Sequence, residues 1–540
     1  MTRRFYFGLF LAGLAITLVA ALFEHAPGYM DADYYYAGGL RLANGQGASE
    51  PYVWNYLNDP SRLPAPSFSY WMPLVSLITA AGLWLARPLG FLGARLGFIL
   101  LAACIPGLTA CISYRLTHRP ASARLAGILA LFPGFYLAYL PTSDAFAVYM
   151  VLGALFILLA FAQGGWLDRV SIEVRLLGLG SLAGLFHLTR ADGLMWLVAA
   201  GIVGLALWIR MRGTIPQAKR GIFILRLISF AGSILAGYGL VMSAWFYHNL
   251  KAWGSLFPPG GFRAVWITAY EQTMLYPASL LTPDHWLAAG WGAHLKAWLD
   301  ALVTNLQTSF AVQGSIVLFP FILIGLWELC KCPEIRLGGF MYLTTAAAMT
   351  LVFPFAGLNG GFFHSSAALQ PLLWAVVPVG IETAMLRYTR WRRLGQPQRM
   401  VGFMSALLVI VVVLLSGLLY FQRVIGSQPG VISWSASAEH YQAVEKTLVG
   451  LGAQPGDPVL VNNPPGYWLA SGRPAVVIPD GDEQMLLAVA RKFNIRYVVL
   501  EVTNPAALGS LYHGRVNPGG LKYLASVGTT RLYQVNLSVP

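Results

Sequence analysis

Charge and cysteine are both scarce in this chain. Only 11% of its 540 residues are Asp, Glu, Lys or Arg, against roughly 25% in an ordinary soluble domain. With 57% hydrophobic residues and a mean hydropathy of +0.60, a set of soluble domains is excluded, because too few polar residues remain to cover their surfaces. Intrinsic disorder is excluded by the same composition, since it requires low hydrophobicity and high charge. Four cysteines are too few for a disulfide framework in a chain of this length. There is no fixed-period repeat and no low-complexity tract.

Long uncharged runs are what the sequence has instead. Windows able to cross about 30 Å of hydrocarbon recur at 5–23, 96–114, 145–161, 193–209, 227–247, 309–327, 337–358, 365–381 and 401–420. Two weaker ones, 125–140 and 176–189, are flanked like spans. The stretch 69–86 is long enough but ambiguous, and charge asymmetry decides it, because cytoplasmic loops are enriched in Lys and Arg. If 69–86 does not cross, the inside segments 1–4, 115–124, 162–175, 210–226, 328–336 and 387–400 hold nineteen Lys and Arg, and the longer outside loops hold eight. If it crosses, the basic clusters 210–226 and 387–399 move outside. We therefore read 69–86 as an interfacial or re-entrant helix, with Tyr70, Trp71 and Trp84 at headgroup level.

The predicted fold class is a polytopic α-helical membrane protein of about eleven transmembrane helices with a small C-terminal α/β extracytoplasmic domain. The membrane unit covers 1–425, with a cytoplasmic N-terminus and a first outside loop at 24–95. From 426 to 540 the composition changes. Short β-branched runs at 457–462, 474–479 and 496–501, bounded by Pro, Gly and Asn, read as strands; 438–451 and 483–493 have helical periodicity. The net charge of +14 follows membrane topology, which argues against a nucleic-acid partner; 387–399 reads as an anchor for anionic membrane lipid. The short loops and small outside domain suit a plasma (inner) membrane.

Acidic residues at the edge of a bilayer are costly and tend to mark working sites. Three groups fall on the predicted outer face: Asp31 and Asp33 in Met30-Asp-Ala-Asp-Tyr-Tyr, Asp144 in Pro141-Thr-Ser-Asp-Ala, and Arg190 with Asp192 in Leu188-Thr-Arg-Ala-Asp-Gly. Each also has a purely structural reading. Asp31 or Asp33 can cap the following helix, Asp144 can cap the fourth span, and Arg190 with Asp192 can be an interfacial ion pair. His364, in Gly360-Gly-Phe-Phe-His, stands at the same face and is equally consistent with a ligand-binding or a satisfied interfacial histidine.

In order and context these segments resemble the GT-C superfamily of membrane glycosyltransferases, in particular the branch of protein O-mannosyltransferases and aminoarabinose transferases. The resemblance runs through Met30-Asp-Ala-Asp-Tyr-Tyr, Tyr70-Trp-Met-Pro-Leu, Ser143-Asp144, Leu188-Thr-Arg-Ala-Asp-Gly-Leu, His248-Asn-Leu-Lys-Ala-Trp-Gly-Ser-Leu-Phe-Pro and Ile495-Arg-Tyr-Val-Val-Leu. Two departures stand out: the acidic pair is split as Asp-x-Asp, and His248 replaces the Arg usual before Asn249.

The resemblance implies a polyprenyl-phosphate sugar as donor, an acceptor hydroxyl on protein, lipid or glycan, and a first-loop aspartate as general base. Asp33 is preferred over Asp31 because it adjoins Tyr34, Tyr35 and Tyr36, which read as a sugar-stacking surface. Arg190 and His364 are the implied donor-phosphate ligands, and Asp144 and Asp192 position the acceptor. A divalent cation, Mg²⁺ or Mn²⁺, is optional, with Asp31, Asp33 and Asp144 as its ligands. A lipid-linked saccharide transporter or flippase, or a non-catalytic structural subunit of a membrane complex, would share the composition. A transporter would place polar groups near mid-membrane, whereas here the charged residues avoid span centres.

Overall fold

The computed structural model describes residues 2–162, 170–212, 220–427, 432–514 and 519–536. The predicted basic segments 162–175 and 210–226 therefore lie partly outside the described residues. The chain is a multi-pass membrane protein: eight helices among the described residues are long and apolar enough to cross, from Arg3–Ala21 to Pro397–Ile425, and the apolar helices Ala145–Ala160 and Phe319–Glu328 are shorter.

All eleven apolar stretches fall on helical segments, but three are interrupted. The stretch 125–140 is the helix Pro120–Ala130 followed by a short 3-10 turn, Gly134–Ala138. Pro133 lacks the amide needed to continue the helix, and Gly134 takes φ +61. The stretch 309–327 breaks at residues 314–318 before Phe319–Glu328, which has Pro320 in its first turn. The stretch 337–358 breaks before Pro354. The second outside loop contains an 18-residue helix, Gly290–Gln307, absent from the sequence reading.

The first outside loop holds the helices Met30–Ala43 and Leu74–Ala86, which pack on each other. Leu74–Ala86, with 13 residues, belongs with Ala145–Ala160 and Phe319–Glu328 among the apolar helices shorter than about 20 residues. The short strands β1 (Ser49–Glu50), β2 (Tyr52–Val53) and β3 (Ala65–Pro66) lie between these helices. Toward the C-terminus follow β4 (Val459–Val461), β5 (Ala475–Val477), β6 (Tyr497–Leu500), β7 (Leu521–Val527) and β8 (Thr530–Val535). Their sheet has the order β2-β5-β4-β6-β8-β7, so the first loop supplies an edge strand, with Tyr52 opposite Ala475 in parallel pairing.

Further contacts join loop and sheet. Tyr56 Oη donates to the Val477 carbonyl at 2.5 Å, and Trp434 Nε1 to that of Ala26 at 3.1 Å. One core runs from the membrane helices through Trp434, Tyr441 and Val444 to β4. At the base of the loop, Glu24 and Arg95 form a 3.0 Å ion pair in which both side chains are almost completely buried, and Arg95 also donates to the Ala21 carbonyl. This pair fixes the end of the first span against the start of Leu96–Thr117.

Candidate active site

Two residues along a helix turn the side chain by about 200°. Asp31 and Asp33, both in the first turn of Met30–Ala43, therefore point to opposite sides. A tight turn starts this helix: Gly28 has φ +93, and a Cβ there would come within 2.4 Å of the Trp434 ring. Tyr29 follows and packs edge-on against Tyr139 and Trp434.

Asp31 faces Asp144 and His364. One ligand atom from each of the three lies within 4.8 Å of the others. Asp144 performs the predicted capping with one oxygen, Oδ1 accepting from the Ala145 amide at 2.5 Å. Its other oxygen accepts from Tyr29 Oη at 2.5 Å and meets His364 Nε2 at 3.2 Å. The preceding turn is fastened to the first loop by Ser143 Oγ, which donates to the Ala32 carbonyl at 3.0 Å. His364 stacks on Phe146 and donates through Nδ1 to the Gly360 carbonyl at 2.9 Å, which turns Nε2 toward the two carboxylates; Asp31 Oδ2 is 3.8 Å away.

The two carboxylates are driven apart electrostatically. Burial pushes Asp31 up to about 6 against the pull of His364, with Asp144 adding to the rise. Burial acts on Asp144 in the same direction, but His364, Tyr29 and the Ala145 amide hold it below the usual carboxylate value. Asp31 is also the more open of the two, with 28% of its side chain exposed against 1% for Asp144.

Arg190 ends the helix Ile172–Thr189 and binds Asp192 Oδ1 through Nε at 2.9 Å. Burial works against its charge, but Asp192, Tyr149, Tyr35 and Asp144 raise its pKa above the ordinary value, so it remains a cation. Asp31 feels that cation. The Tyr35 and Tyr149 hydroxyls are buried in the same neighbourhood with no hydrogen-bond partner among the described residues. Tyr70 and Tyr270, whose rings also lie within electrostatic reach of Asp31, line a narrow cleft of about 30 Å³ together with Trp286 and Trp298.

Asp33 lies apart from this cluster. Its Oδ2 accepts from Asn463 Nδ2 at 2.8 Å, where Asn463 caps Pro464–Ser471 in the C-terminal segment. Gly466 permits the approach, since a Cβ there would stand 2.7 Å from that oxygen. Burial pushes Asp33 up to about 7, with Asn463 opposing the rise. The expected sugar-stacking surface is not formed by Tyr34 and Tyr35, each 1% exposed. They are core residues beside Trp54 and Trp71, and Tyr34 Oη donates to the buried Glu50 carboxylate. A position next to an acidic residue does not expose a ring when the helix face it occupies is packed.

Of the residues singled out in the sequence, the fold gathers Asp31, Asp144 and His364 with the Arg190–Asp192 pair close by. His248, at the Arg-like position, has no charged partner among the described residues and instead meets the Ser67 carbonyl at 2.9 Å. Sequence reasoning missed Tyr29, Asn463, Glu24 and Glu50. Only Tyr29 carried a signal, as a hydroxyl two residues before Asp31.

No protein-family model and no curated protein sequence matches the chain. Solved structures do. The Archaeoglobus fulgidus oligosaccharyltransferase in complex with Zn and sulfate matches with a TM-score of 0.54 and 13% identity over 96% of this chain and 72% of that one. ArnT from Cupriavidus metallidurans, bound to undecaprenyl phosphate, matches with a TM-score of 0.52 and 14% identity over 99% of both chains. The chain has the GT-C fold. The same oligosaccharyltransferase tethered to an acceptor peptide is similar over 100% of this chain, with a TM-score of 0.53. These solved structures agree with the chain in fold while sharing 13–14% of residues, so side-chain roles rest on this chain's own geometry.

Proposed function

We propose that the protein is a membrane glycosyltransferase that moves a sugar from a polyprenyl-phosphate donor to an acceptor hydroxyl at the outer face of a plasma (inner) membrane, with Asp31 as general base. The observation that carries this reading is the convergence of Asp31, Asp144 and His364 within 4.8 Å beside the cation of Arg190, in the GT-C fold. ArnT, which shares that fold, was solved with undecaprenyl phosphate.

Asp31 takes the base role that the sequence pattern had favoured for Asp33, because it is the more open carboxylate of the cluster and its proton affinity lies near neutral pH. It accepts the acceptor's proton as the oxygen attacks the anomeric carbon. The bond from that carbon to the phosphate oxygen breaks, and its electron pair leaves with the polyprenyl phosphate. Arg190 faces the charge that grows on the leaving phosphate, held by Asp192 in a fixed orientation. Asp144 and His364 orient Asp31. The C-terminal unit, through Asn463 and Asp33, holds the base-bearing helix in place.

The cluster also fits a divalent cation. With Nδ1 of His364 committed to Gly360, Nε2 presents toward Asp144 and Asp31, a mixed nitrogen and oxygen donor set that suits Mn²⁺ or Zn²⁺ better than Mg²⁺. Asp144, His364 and one Asp31 oxygen would hold it, and Asp33 would not. When bound, such an ion supplies positive charge to the phosphate.

The test is transfer of a labelled sugar from polyprenyl phosphate by purified protein in lipid nanodiscs, wild type against Asp31→Asn. Transfer by the wild type and its loss in the variant support the reading. Unimpaired transfer in the variant would remove Asp31 from the chemistry, and a wild type that translocates the lipid without transferring sugar would favour a transporter.

A further inference from the structure

The helices that begin at Asp144 and end at Arg190 open around a second cavity at their other ends. Asp144 caps the start of Ala145–Ala160, and Ala160 lines this cavity. Arg190 ends Ile172–Thr189, and Arg175, in the first turn of that helix, lines it. Met195–Arg212 starts just after Asp192 and contributes Arg210, while Pro333–Ala347 contributes Arg336. A helix of 16 to 18 residues is about 24–27 Å long at 1.5 Å per residue. The cavity thus lies most of a membrane thickness from Asp31.

Its chemistry is one-sided. Three arginines line it, no carboxylate does so among the described residues, and the walls are apolar, including Ile202, Leu207 and Phe340. Arg175 is set in the wall, with Nη2 donating to the carbonyls of Leu159 and Ala160. Arg336 is oriented through Nε, which donates to the Cys330 carbonyl at 3.1 Å. Among the described acidic residues close by in sequence, Glu334 is paired with Arg115 at 3.0 Å and Glu173 does not line the cavity. The amino-terminal ends of Ile172–Thr189 and Pro333–Ala347 add partial positive charge. The volume, about 510 Å³, accommodates a headgroup and the first part of its acyl chains.

We propose that this cavity is a binding site for an anionic phospholipid of the leaflet opposite the catalytic cluster, its phosphate held by Arg210 and Arg336 beside Arg175 and its acyl chains lying on the apolar wall. Charge complementarity selects the headgroup, because guanidinium groups pair with phosphate oxygens in forked geometry. The apolar wall selects a lipid over a soluble anion, which would leave that surface uncovered.

Native mass spectrometry of the full chain in detergent tests this, with phosphatidylglycerol and phosphatidylcholine of identical acyl chains as probes. The wild type should retain phosphatidylglycerol about tenfold better, and Arg210→Gln/Arg336→Gln should lose that preference, as expected from removal of one or two charge-assisted hydrogen bonds. Equal retention of the two lipids by the wild type, or an unchanged preference in the variant, would overturn the proposal. So would displacement of phosphatidylglycerol by excess inorganic phosphate, which would mark a site for free anions. Should the double variant not fold, wild-type protein decides: phosphatidylglycerol with a photoreactive acyl chain should label peptides around 202–210 and 336–340, and labelling confined to other helices would refute the site.

Discussion

Asn463 donates a 2.8 Å hydrogen bond to Asp33 across a separation of 430 residues. This contact joins the helix that carries Asp31 to the C-terminal sheet, and so couples the position of the proposed base to a segment that contributes no charged group to the acid and histidine cluster. Breaking it by Asn463→Leu leaves a buried carboxylate without its partner. The expected cost is about 1–3 kcal/mol of stability, read as a lowered melting temperature in detergent, with transferase activity falling because Met30–Ala43 loosens.

Asp31→Asn and Asp33→Asn should separate chemistry from scaffolding. Asparagine keeps the size and one acceptor oxygen but is no base. Turnover in Asp31→Asn should drop at least about 10²-fold with little change in donor binding. Asp33→Asn should keep turnover within about tenfold of wild type, because its oxygen can still accept from Asn463. The reverse order of effects would return the base role to Asp33.

Arg190→Ala should weaken donor binding as well as turnover, because the donor phosphate is charged before and after the bond breaks. Arg190→Lys should recover part of the binding, since charge is kept while the fork toward Asp192 and phosphate is lost. Titration of a polyprenyl-phosphate analogue against each variant measures this directly, and unchanged affinity in Arg190→Ala would place the phosphate elsewhere.

Glu50 makes stability depend on pH. Burial pushes its carboxyl up to about 8, with hydrogen bonds from Tyr34 and the Phe68 amide opposing the rise. The unfolded chain has the ordinary glutamate value near 4.3, so between about pH 4.3 and 8 the folded state binds more protons than the unfolded one. Stability should therefore fall as pH rises through this window. Glu50→Gln resembles the protonated form, and its melting temperature should depend less steeply on pH over the same range. An identical slope in the two proteins would show that another group controls it.

Arg95→Ala should be among the most destabilising single changes, by about 3–5 kcal/mol, because it strands the Glu24 carboxylate in a site with no water access. Glu24→Gln/Arg95→Gln should recover much of that loss. A double variant no more stable than Arg95→Ala, in thermal unfolding, would mean that Arg95 acts through its packing on Phe91 more than through the ion pair.

Much of the architecture was legible in the sequence, because a bilayer imposes a strong and local pattern. Spans such as Leu96–Thr117 and Pro397–Tyr420 appear as uncharged runs whatever their neighbours are. The strands β4, β5 and β6 likewise appear as β-branched runs between breakers. The edge strand β2 was not visible: two residues, Tyr52 and Val53, have no periodicity, and their partner is more than 400 residues away in the chain. The helix Gly290–Gln307 was hidden because Trp, His and Lys interrupt its apolar face.

For the site, the sequence by itself determined which ionisable residues were available at one face of the membrane, since burying them within the spans would be too costly. It offered Asp144 as a helix cap and Arg190 with Asp192 as an ion pair, both local relationships. Only the tertiary structure decided which of these groups meet. His364 and Asp144 come together across 220 residues through the packing of their helices, and no local pattern encodes that distance. The choice between Asp31 and Asp33 was likewise left to the fold: the turn of about 200° between them guarantees that they diverge, but which one faces His364 and which faces Asn463 depends on how Met30–Ala43 is rotated against its neighbours.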